Sequence, residues 1–264
     1  MDKHLPIGIF DSGVGGLTVL GRAVELLPEE NFIYYADTAH FPYGDKSHAE
    51  VREHVFSAVS EMAEKGVKAL VVACNTATAA AINDLRARYD FPVFGIEPAL
   101  KPAVEDEHSG TIAVIATRLT LREEKFQRLL ERYREKGEII NVPAAGLADL
   151  VEQGHYADDT GRAFLRRLFD GVTPDTIVLG CTHYLFTEPL LREMFPDSRI
   201  IDGGEGLVRN LLRVLEESGM KNSGGGKVEV MASGGDFQPR FDAFFSDIRS
   251  ILAGLPHKME QEHR

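Results

Sequence analysis

The chain has two cysteines, Cys74 and Cys181, and each one ends an apolar run and begins a polar one. Residues 71–76 read VVACNT and residues 178–183 read VLGCTH, so each thiol is predicted to lie at the carboxyl end of a parallel strand. Ligands bind just beyond such ends in open α/β sheets. Because a free thiol has a pKa of about 8.5, two thiols facing one bound molecule could remove a proton from one side and return a proton to the other.

Three further side chains could assist proton transfer at the thiols. Asp11 follows the first predicted strand, Glu152 lies in a loop of the second half, and His183 is two residues beyond Cys181. A carboxylate beside a thiol raises the thiol pKa, so neither acidic residue would create a thiolate by its charge. Both carboxylates are instead expected to take up or return a proton, or to orient a thiol.

A glycine-rich turn at residues 11–16 (DSGVGG) joins a predicted strand to a helix, as phosphate-binding loops do. Thr18 stands where a dinucleotide-binding fingerprint has its third glycine, and the sequence has no Gly-Lys-Thr or Gly-Lys-Ser P-loop. N–H groups at a helix N-terminus still suit a small carboxylate. Near the cysteines and this turn lie four neutral hydrogen-bond donors, Ser12, Asn75, Thr76 and Thr182. Together they predict a pocket for a small zwitterion.

The two cysteines also have other interpretations. Each could be a buried structural residue, since free cysteine is among the most buried residue types. A zinc site is weakly supported, because the sequence has no Cys-x-x-Cys and the spacing of Cys181 and His183 is not usual for zinc ligands. A thiol redox protein would form a reversible disulfide between Cys74 and Cys181, which would close the proposed cleft.

Predicted strands and helices alternate along the chain, which is typical of parallel sheets covered by helices. The pattern then starts again: 63 residues separate Asp11 from Cys74, and 64 separate Thr117 from Cys181. This spacing and the matched sequences around the cysteines favour an internal duplication. If the two halves pack face to face, both thiols point into one cleft.

The predicted fold class is therefore α/β, with two lobes that are each a mainly parallel sheet with flanking helices. Residues 1–97 and 207–264 are assigned to the first lobe, and residues 98–206 to the second. Within the second lobe, an amphipathic pattern predicts one charged helix over residues 121–136. The candidate site lies in the cleft between the lobes.

Composition limits the partners and the compartment. The 264 residues suit one large domain or two small ones, and the hydrophobic and charged fractions of 44% and 27% are ordinary for a globular protein. A formal net charge of −12 argues against nucleic acid and anionic membranes as partners. No apolar run approaches the roughly 20 residues of a membrane helix. Residues 1–4 lead straight into a strand, so no signal peptide is expected and a cytoplasmic location is predicted.

Seven segments, in order and across nearly the whole chain, resemble the glutamate racemases, which belong to the cofactor-independent aspartate/glutamate racemase superfamily. They are residues 9–19 (IFDSGVGGLTV), 37–39 (DTA) with 42–44 (PYG), 73–77 (ACNTA), 95–98 (GIEP), 150–154 (LVEQG), 180–184 (GCTHY) and 232–236 (ASGGD). The resemblance implies a pseudo-symmetric two-lobed fold. It also implies interconversion of L- and D-glutamate without metal, pyridoxal phosphate or another cofactor, and a homodimer. D-Glutamate would then supply peptidoglycan synthesis.

The resemblance also implies roles for particular residues. Cys74 and Cys181 would be the two acid/base residues, with Asp11 assisting Cys74, and Glu152 and His183 assisting Cys181. The residues expected to contact the substrate are Asp11, Ser12, Tyr43, Gly44, Asn75, Thr76, Thr117, Thr182 and His183.

The sequence departs from the family pattern at three places. His40 stands where the family often has Arg, and Leu185 where it often has Pro. Residues 144–149 (AAGLAD) replace a more usual segment containing Cys-Pro, just before Glu152, and are expected to reshape the wall of the second lobe. Two alternatives stay open: racemisation of aspartate or hydantoin on the same scaffold, and a two-lobed module that binds an amino acid without converting it.

Overall fold

The computed structural model describes residues 2–105, 110–135 and 137–255. Residues 1 and 256–264 of the predicted first lobe, and 106–109 and 136 of the predicted second lobe, lie outside the described residues. The strands are β1 (Ile7–Asp11), β2 (Phe32–Ala36), β3 (Ala69–Val72), β4 (Val93–Gly95), β5 (Thr111–Ala116), β6 (Glu138–Pro143), β7 (Thr176–Gly180), β8 (Arg199–Asp202) and β9 (Val228–Ala232).

Helices alternate with these strands, as the sequence pattern predicts. The α-helices are α1 (Leu17–Leu26), α2 (His48–Lys65), α3 (Asn75–Arg88), α4 (Leu100–Val104), α5 (Arg118–Arg122), α6 (Glu124–Tyr133), α7 (Leu147–Glu152), α8 (Asp159–Leu168), α9 (Glu188–Met194), α10 (Gly204–Glu217) and α11 (Gln238–Gly254). Short 3₁₀ helices cover Thr38–His40, Tyr43–Asp45 and Thr182–Thr187. None of the helices within the described residues combines the length and the apolar character needed to cross a bilayer.

The strands form two sheets, and every strand pairing within the described residues is parallel. The first sheet has the order β4-β3-β1-β2-β9, and the second has the order β6-β5-β7-β8. Without β9, the first sheet reads β2-β1-β3-β4, and the second sheet reads β6-β5-β7-β8. Counted from its own first strand, each sheet therefore has the strand order 2-1-3-4. The α/β class with two sheets is therefore confirmed, and the shared strand order agrees with an internal duplication.

This strand order explains where both cysteines lie. In each sheet the connections run in opposite directions from the first strand, so the carboxyl ends of the first and third strands flank a topological switch point, where ligands bind in such sheets. Asp11 ends β1 and Cys74 follows β3 in the first sheet. Thr117 follows β5 and Cys181 follows β7 in the second sheet.

Helices from the end of the chain join the two sheets into one body. Helix α1 packs against α10 and α11. A single cluster of buried apolar side chains includes Ile9 of β1, Ile115 of β5 and Leu179 of β7, so the cluster reaches both sheets. Arg22 of α1 donates two hydrogen bonds of 2.7 Å to Asp202, at the end of β8. This pairing of both carboxylate oxygens fixes orientation as well as distance.

Local sequence explains the helix that supports the first sheet. Helix α2 begins with a capping box, in which Ser47 accepts from the N–H of Glu50 and the Glu50 carboxylate accepts from the N–H of Ser47. Its side chains at positions 51, 55, 59 and 62 are buried at helical spacing. Gly66 ends the helix with a φ of +83°, a conformation that favours glycine.

The single helix predicted over residues 121–136 is wrong in its bounds. The structure has α5 and α6 instead, separated by Glu123 in an extended conformation (φ −61°, ψ 135°). Helix α5 begins early because the Thr117 hydroxyl accepts from the N–H of Thr120 and caps it. The charged sequence has no glycine or proline at the break, so periodicity alone gave no sign of it.

Candidate active site

Cys74 lies between β3 and α3, and its thiol is buried. Its Sγ accepts from the N–H of Ala77 at 3.5 Å, so the cysteine caps the N-terminus of α3. The Ser12 hydroxyl lies 3.7 Å from the same sulfur. Burial raises the pKa of the Cys74 thiol well above its ordinary range, and the nearby Asp11 carboxylate raises it further. The stabilisation of a thiolate by the helix N-terminus is smaller than these two effects, so Cys74 is held as a neutral thiol.

Cys181 has different surroundings. It follows β7, is only partly buried, and its Sγ lies 3.7 Å from Nδ1 of His183. The other ring nitrogen of His183, Nε2, lies 2.8 Å from Oε1 of Glu152. Burial alone would lower the pKa of His183, but its contacts with Cys181 and Glu152 outweigh burial and raise that pKa well above 6.5. A protonated His183 beside Cys181 stabilises a thiolate there.

Asp11 connects the two halves of the site. Its carboxylate is buried and accepts from the N–H of Gly13 at 3.0 Å and from the hydroxyl of Thr182 at 3.1 Å. Burial raises the pKa of Asp11 from 3.8 to about 6, against the opposing charge of His183. The carboxyl group therefore changes its charge near neutral pH, where a proton carrier is most useful.

The glycine-rich turn lies against the second half of the site, and its glycines have a steric reason. A Cβ at Gly13 would lie 1.9 Å from Oε1 of Glu152, and one at Gly15 would lie 2.4 Å from Nδ1 of His183. The N–H of Val14 donates to Oε1 of Glu152 at 2.7 Å. The sequence predicts a small carboxylate at this turn, and the structure shows that one carboxylate held there is the side chain of Glu152.

Both cysteines line one cavity of about 30 Å³. Of the predicted site residues, those that line it are Ser12, Tyr43, Gly44, Cys74, Thr76, Thr117, Cys181 and His183. Asp11, Thr182 and Glu152 lie behind this lining and act on it through the contacts above. The unusual segment 144–149 contributes Ala144, Ala145, Gly146, Ala148 and Asp149 to the wall.

Asn75 has a different position from the one that the sequence suggests. It follows Cys74 directly, yet it lines a second, larger cavity of about 370 Å³ instead of the cavity between the cysteines. Thr78, Ile96, Thr120 and Phe126 also line this second cavity. Asn75 is 5% exposed, and neither atom of its side-chain amide has a hydrogen-bond partner among the described residues. A buried amide of this kind can serve a ligand or a water molecule.

Hydroxyl groups from both lobes meet beside Cys74. The hydroxyl of Thr76, on helix α3, lies 3.1 Å from the hydroxyl of Thr117, which follows β5. The Thr117 hydroxyl donates to the Thr120 hydroxyl at 3.0 Å. A Cβ at Gly44 would lie 3.1 Å from Cβ of Thr117, so a side chain at position 44 would require Thr117 to shift by a few tenths of an ångström. Thr120 was missed by sequence reasoning, because a threonine one helical turn after a cap carries no signal of its own.

The Tyr43 hydroxyl faces Asp37, to which it donates a hydrogen bond. Burial, with the charge of Asp37, raises the pKa of Tyr43 well above its ordinary range. Nδ1 of His40 lies 2.8 Å from the same Asp37 carboxylate. Tyr43 therefore lines the cavity mainly with its ring, and its hydroxyl fixes the loop.

Among the described residues, one group of side chains has ligand atoms close enough to hold a metal ion. Asp37, His40 and His54 offer three such atoms within 4.8 Å of one another. The two imidazole rings are stacked, with centroids 3.7 Å apart and planes at 13°. Neither cysteine belongs to this group.

Arg240 is a site residue that sequence reasoning missed. It lies on α11, and its Nη2 donates to the backbone carbonyl of Glu152 at 2.7 Å and also pairs with the Glu152 carboxylate. The residues are 88 positions apart in the chain. The sequence carries no short-range signal for such a contact.

Comparisons with known proteins agree with this arrangement. The family model for Asp/Glu/Hydantoin racemase matches residues 19–211. The glutamate racemase of Clostridium perfringens (strain SM101 / Type A) is 45% identical over 225 residues, covering 83% of this chain and 86% of the relative.

Solved structures give the same result. The glutamate racemase of Thermus thermophilus in complex with beta-chloro-D-alanine has a TM-score of 0.78 at 33% identity, covering 94% of both chains. The Escherichia coli glutamate racemase in complex with L-glutamate and the activator UDP-MurNAc-ala has a TM-score of 0.79 at 31% identity, covering 91% of this chain and 95% of that one. By its family match, its sequence and its fold, this chain belongs to the Asp/Glu/Hydantoin racemase family of isomerases.

Proposed function

We propose that this protein interconverts L-glutamate and D-glutamate by proton transfer between two cysteines, Cys74 and Cys181. The observation that carries the proposal is that both thiols line one cavity while they follow strands of different sheets. Thiols that approach from two lobes can reach opposite faces of an α-carbon held between them. The substrate assignment is supported by the relatives, which are named glutamate racemases.

The electrostatic surroundings set the starting state of the reaction. Cys181, beside protonated His183, starts as a thiolate, and Cys74 starts as a thiol. The Cys181 sulfur takes the α-hydrogen as a proton, and the electron pair of the broken C–H bond stays on the substrate. Cys74 gives its proton to the opposite face and becomes the thiolate. Conversion of the other enantiomer runs the same steps in reverse.

The difficult step is the removal of a weakly acidic α-hydrogen. Hydrogen-bond donors aimed at the developing charge supply much of the help in such sites, and removing one donor costs about 10²–10³ in turnover. Thr76 and Thr117 line the cavity. We assign their hydroxyls to this role once they turn from each other and from Thr120 towards the substrate. Asp11, whose pKa is raised to about 6, is assigned to exchange a proton with the Cys74 half of the site.

Substrate entry needs movement of the two lobes. The cavity between the cysteines is about 30 Å³, which is enough for about two water molecules. Glutamate is several times larger. The lobes therefore separate to admit substrate and close over it, which also removes water from the reacting atoms.

We extend the proposal to the wider context of the protein. D-Glutamate made by this reaction would supply peptidoglycan synthesis, and the protein would act as a homodimer in the cytoplasm, without cofactor, on a small-molecule substrate. These points are supported by the family membership and stay predictions. The lobe boundaries at residues 97/98 and 206/207 are likewise proposed.

Incubation of the purified protein with L-glutamate in D₂O, without added cofactor, tests the proposed function. We expect optical rotation to be lost while deuterium enters the α-carbon, as followed by polarimetry and α-proton NMR. A Cys181→Ala protein purified in the same way controls for a contaminating racemase. Deuterium exchange with aspartate but not with glutamate would show that the substrate is aspartate. No exchange with either would favour a binding module, and a reversible Cys74–Cys181 disulfide under mild oxidant would favour a redox protein.

A further inference from the structure

Arg240 belongs to the C-terminal helix α11, far in sequence from both cysteines. Its guanidinium holds Glu152 in two ways, through the backbone carbonyl at 2.7 Å and through the carboxylate. The side chain of Arg240 is 42% exposed, whereas that of Glu152 is 9% exposed. The cation thus reaches from solvent onto an almost buried anion. The guanidinium also lies 5.8 Å from the ring centroid of Phe244, one turn further along the helix.

Glu152 is the centre of a chain of contacts that ends at a reacting atom. Its Oε1 accepts from the N–H of Val14 at 2.7 Å and lies 2.8 Å from Nε2 of His183. His183 then reaches Sγ of Cys181 with its other nitrogen at 3.7 Å. In this chain of contacts, the charge of each group affects the protonation of the group beside it. Arg240 lies at the outer end of this chain, and Cys181 lies at the inner end.

The charges in this chain alternate in sign. Burial alone would raise the pKa of Glu152, but hydrogen bonding and charge from His183, the N–H of Val14 and the charge of Arg240 together lower it. An ionised Glu152 favours the protonated form of His183, which in turn favours a thiolate on Cys181. Without Arg240, the Glu152 carboxylate has one cation fewer to hold its charge and its rotamer.

We propose that Arg240 is a positioning residue for the reaction, which fixes the carboxylate of Glu152 and through His183 sets the reactivity of Cys181 but not of Cys74. This inference rests on the proposed function for its catalytic meaning. The guanidinium contacts both the backbone carbonyl and the carboxylate of Glu152 from helix α11, which follows the last strand of the first sheet. Helix α11 therefore takes part in the chemistry without lining the cavity.

The expected effect is moderate, because Arg240 is partly exposed and solvent screens its charge. We expect Arg240→Gln to lower kcat/KM by roughly threefold to tenfold near neutral pH. A shift of one unit in the pKa of an assisting group changes the population of its active form by up to about tenfold. The alkaline limb of the pH–rate profile should move to lower pH, because His183 loses its proton more easily beside a weakened carboxylate. Arg240→Lys should restore part of the rate, since it keeps the charge without the two-donor contact.

Arg249 provides a matched control, because it lies on the same helix and is exposed. Arg249→Gln should keep the profile of the unchanged protein. A uniform loss of rate in Arg240→Gln at all pH values, with a lowered melting temperature, would show a merely structural role and overturn the proposal. Identical profiles for Arg240→Gln and Arg249→Gln would also overturn it.

A second measurement does not depend on racemisation. The chain has two cysteines, so in a Cys74→Ala background the only thiol that iodoacetamide can alkylate is that of Cys181. Adding Arg240→Gln to this background should slow alkylation at pH 7 by roughly threefold or more, because less thiolate is present. An unchanged rate would contradict the proposal even if the protein acted on another substrate. Failure to racemise glutamate, with slowed alkylation, would contradict the proposed function alone.

Discussion

The two halves of the site share a topology but differ in electrostatics. Cys74 and Cys181 both follow the third strand of their own sheet, beside the end of the first strand. Cys74 is buried next to a carboxylate and caps a helix. Cys181 is partly buried next to an imidazole that pairs with Glu152. The repeated topology thus places the two thiols in equivalent positions, and their neighbours differ.

This difference has a chemical use. A symmetric reaction needs two similar groups, but each turnover needs one of them charged and the other neutral. Two thiols with identical surroundings would be both neutral or both ionised part of the time, and neither combination can start the reaction. In the proposed mechanism the thiolate starts at Cys181, beside the His183 imidazole, and the thiol at Cys74, so the enantiomer that reacts first is the one whose α-hydrogen faces Cys181.

Removal of either thiol should have the largest effect. Cys74→Ala and Cys181→Ala are each expected to lower racemisation by at least about 10³-fold, because each removes one of the two proton carriers. Polarimetry with each enantiomer measures this loss. Elimination from a β-substituted analogue needs only one base, so each variant should keep it for one enantiomer. Substantial racemisation in both directions by either variant would show that the reaction does not need both thiols.

Glu152→Gln should come next, and it should affect the Cys181 half. Without the carboxylate, His183 loses its proton more readily and the thiolate of Cys181 loses its partner. We expect a fall in kcat on the order of 10²-fold, measured by steady-state kinetics in both directions. Elimination by the Cys181→Ala protein, which depends on Cys74, should change little when Glu152→Gln is added. An equal loss there would mean that the halves are not independent.

Asp11→Asn should lower activity by roughly tenfold or more and should also remove an acid limb. The unchanged protein should lose activity as the pH falls through about 6, where Asp11 takes up a proton. Asn does not titrate, so the limb should disappear from the pH–rate profile of the variant. A limb that persists near pH 6 would assign it to another group.

The same substitution should stabilise the fold at neutral pH. A carboxyl group whose pKa is raised in the folded protein destabilises the folded state when it is ionised. For Asp11 this loss in the free energy of unfolding is absent below pH 3.8, the ordinary pKa, and is fully present above about 6, the folded pKa. The full loss is about 3 kcal/mol. Asp11→Asn should therefore raise the free energy of unfolding by up to about 3 kcal/mol at pH 7.5 and by little at pH 4. Urea unfolding at both pH values measures the difference, and an equal gain at both would contradict the burial argument.

Ser12→Ala should have the smallest effect. The hydroxyl lies 3.7 Å from the Cys74 sulfur, a long contact that is weaker than the ion pairs around Cys181. We expect roughly a threefold fall in kcat/KM, with the stability unchanged within about 0.5 kcal/mol. A loss comparable to that of Glu152→Gln would mean that Cys74 is as dependent on its neighbours as Cys181 is.

Sequence reasoning gave the fold class and the places of the cysteines because these depend on local patterns. A buried run that ends in Cys-Asn-Thr or Cys-Thr-His predicts the end of a parallel strand, and two such runs at matched spacing predict a repeated unit. The glycines of the 11–16 turn were recognised for the same reason. Their steric purpose, the close approach of Glu152 and His183, required the structure.

Other features depend on contacts between distant residues. Arg240 meets Glu152 across 88 positions of the chain, and a lone arginine on a helix gives no sign of this contact. Asn75 follows Cys74 in sequence, but the start of α3 directs it to the larger cavity. The break at Glu123 occurs without a glycine or a proline, so composition gives no sign of it. The contact of Arg240 results from tertiary packing, which local sequence patterns do not show.

The location of deuterium at low conversion tests the central claim most directly. L-Glutamate is converted by the unchanged protein in D₂O to about a tenth of equilibrium, and the two enantiomers are separated and analysed by mass spectrometry. If Cys74 and Cys181 act from opposite faces, the D-glutamate formed should carry α-deuterium while the recovered L-glutamate keeps its hydrogen. Deuterium in the recovered L-glutamate to the same extent as in the product, or the original hydrogen carried into the product, would show a single base and contradict the account.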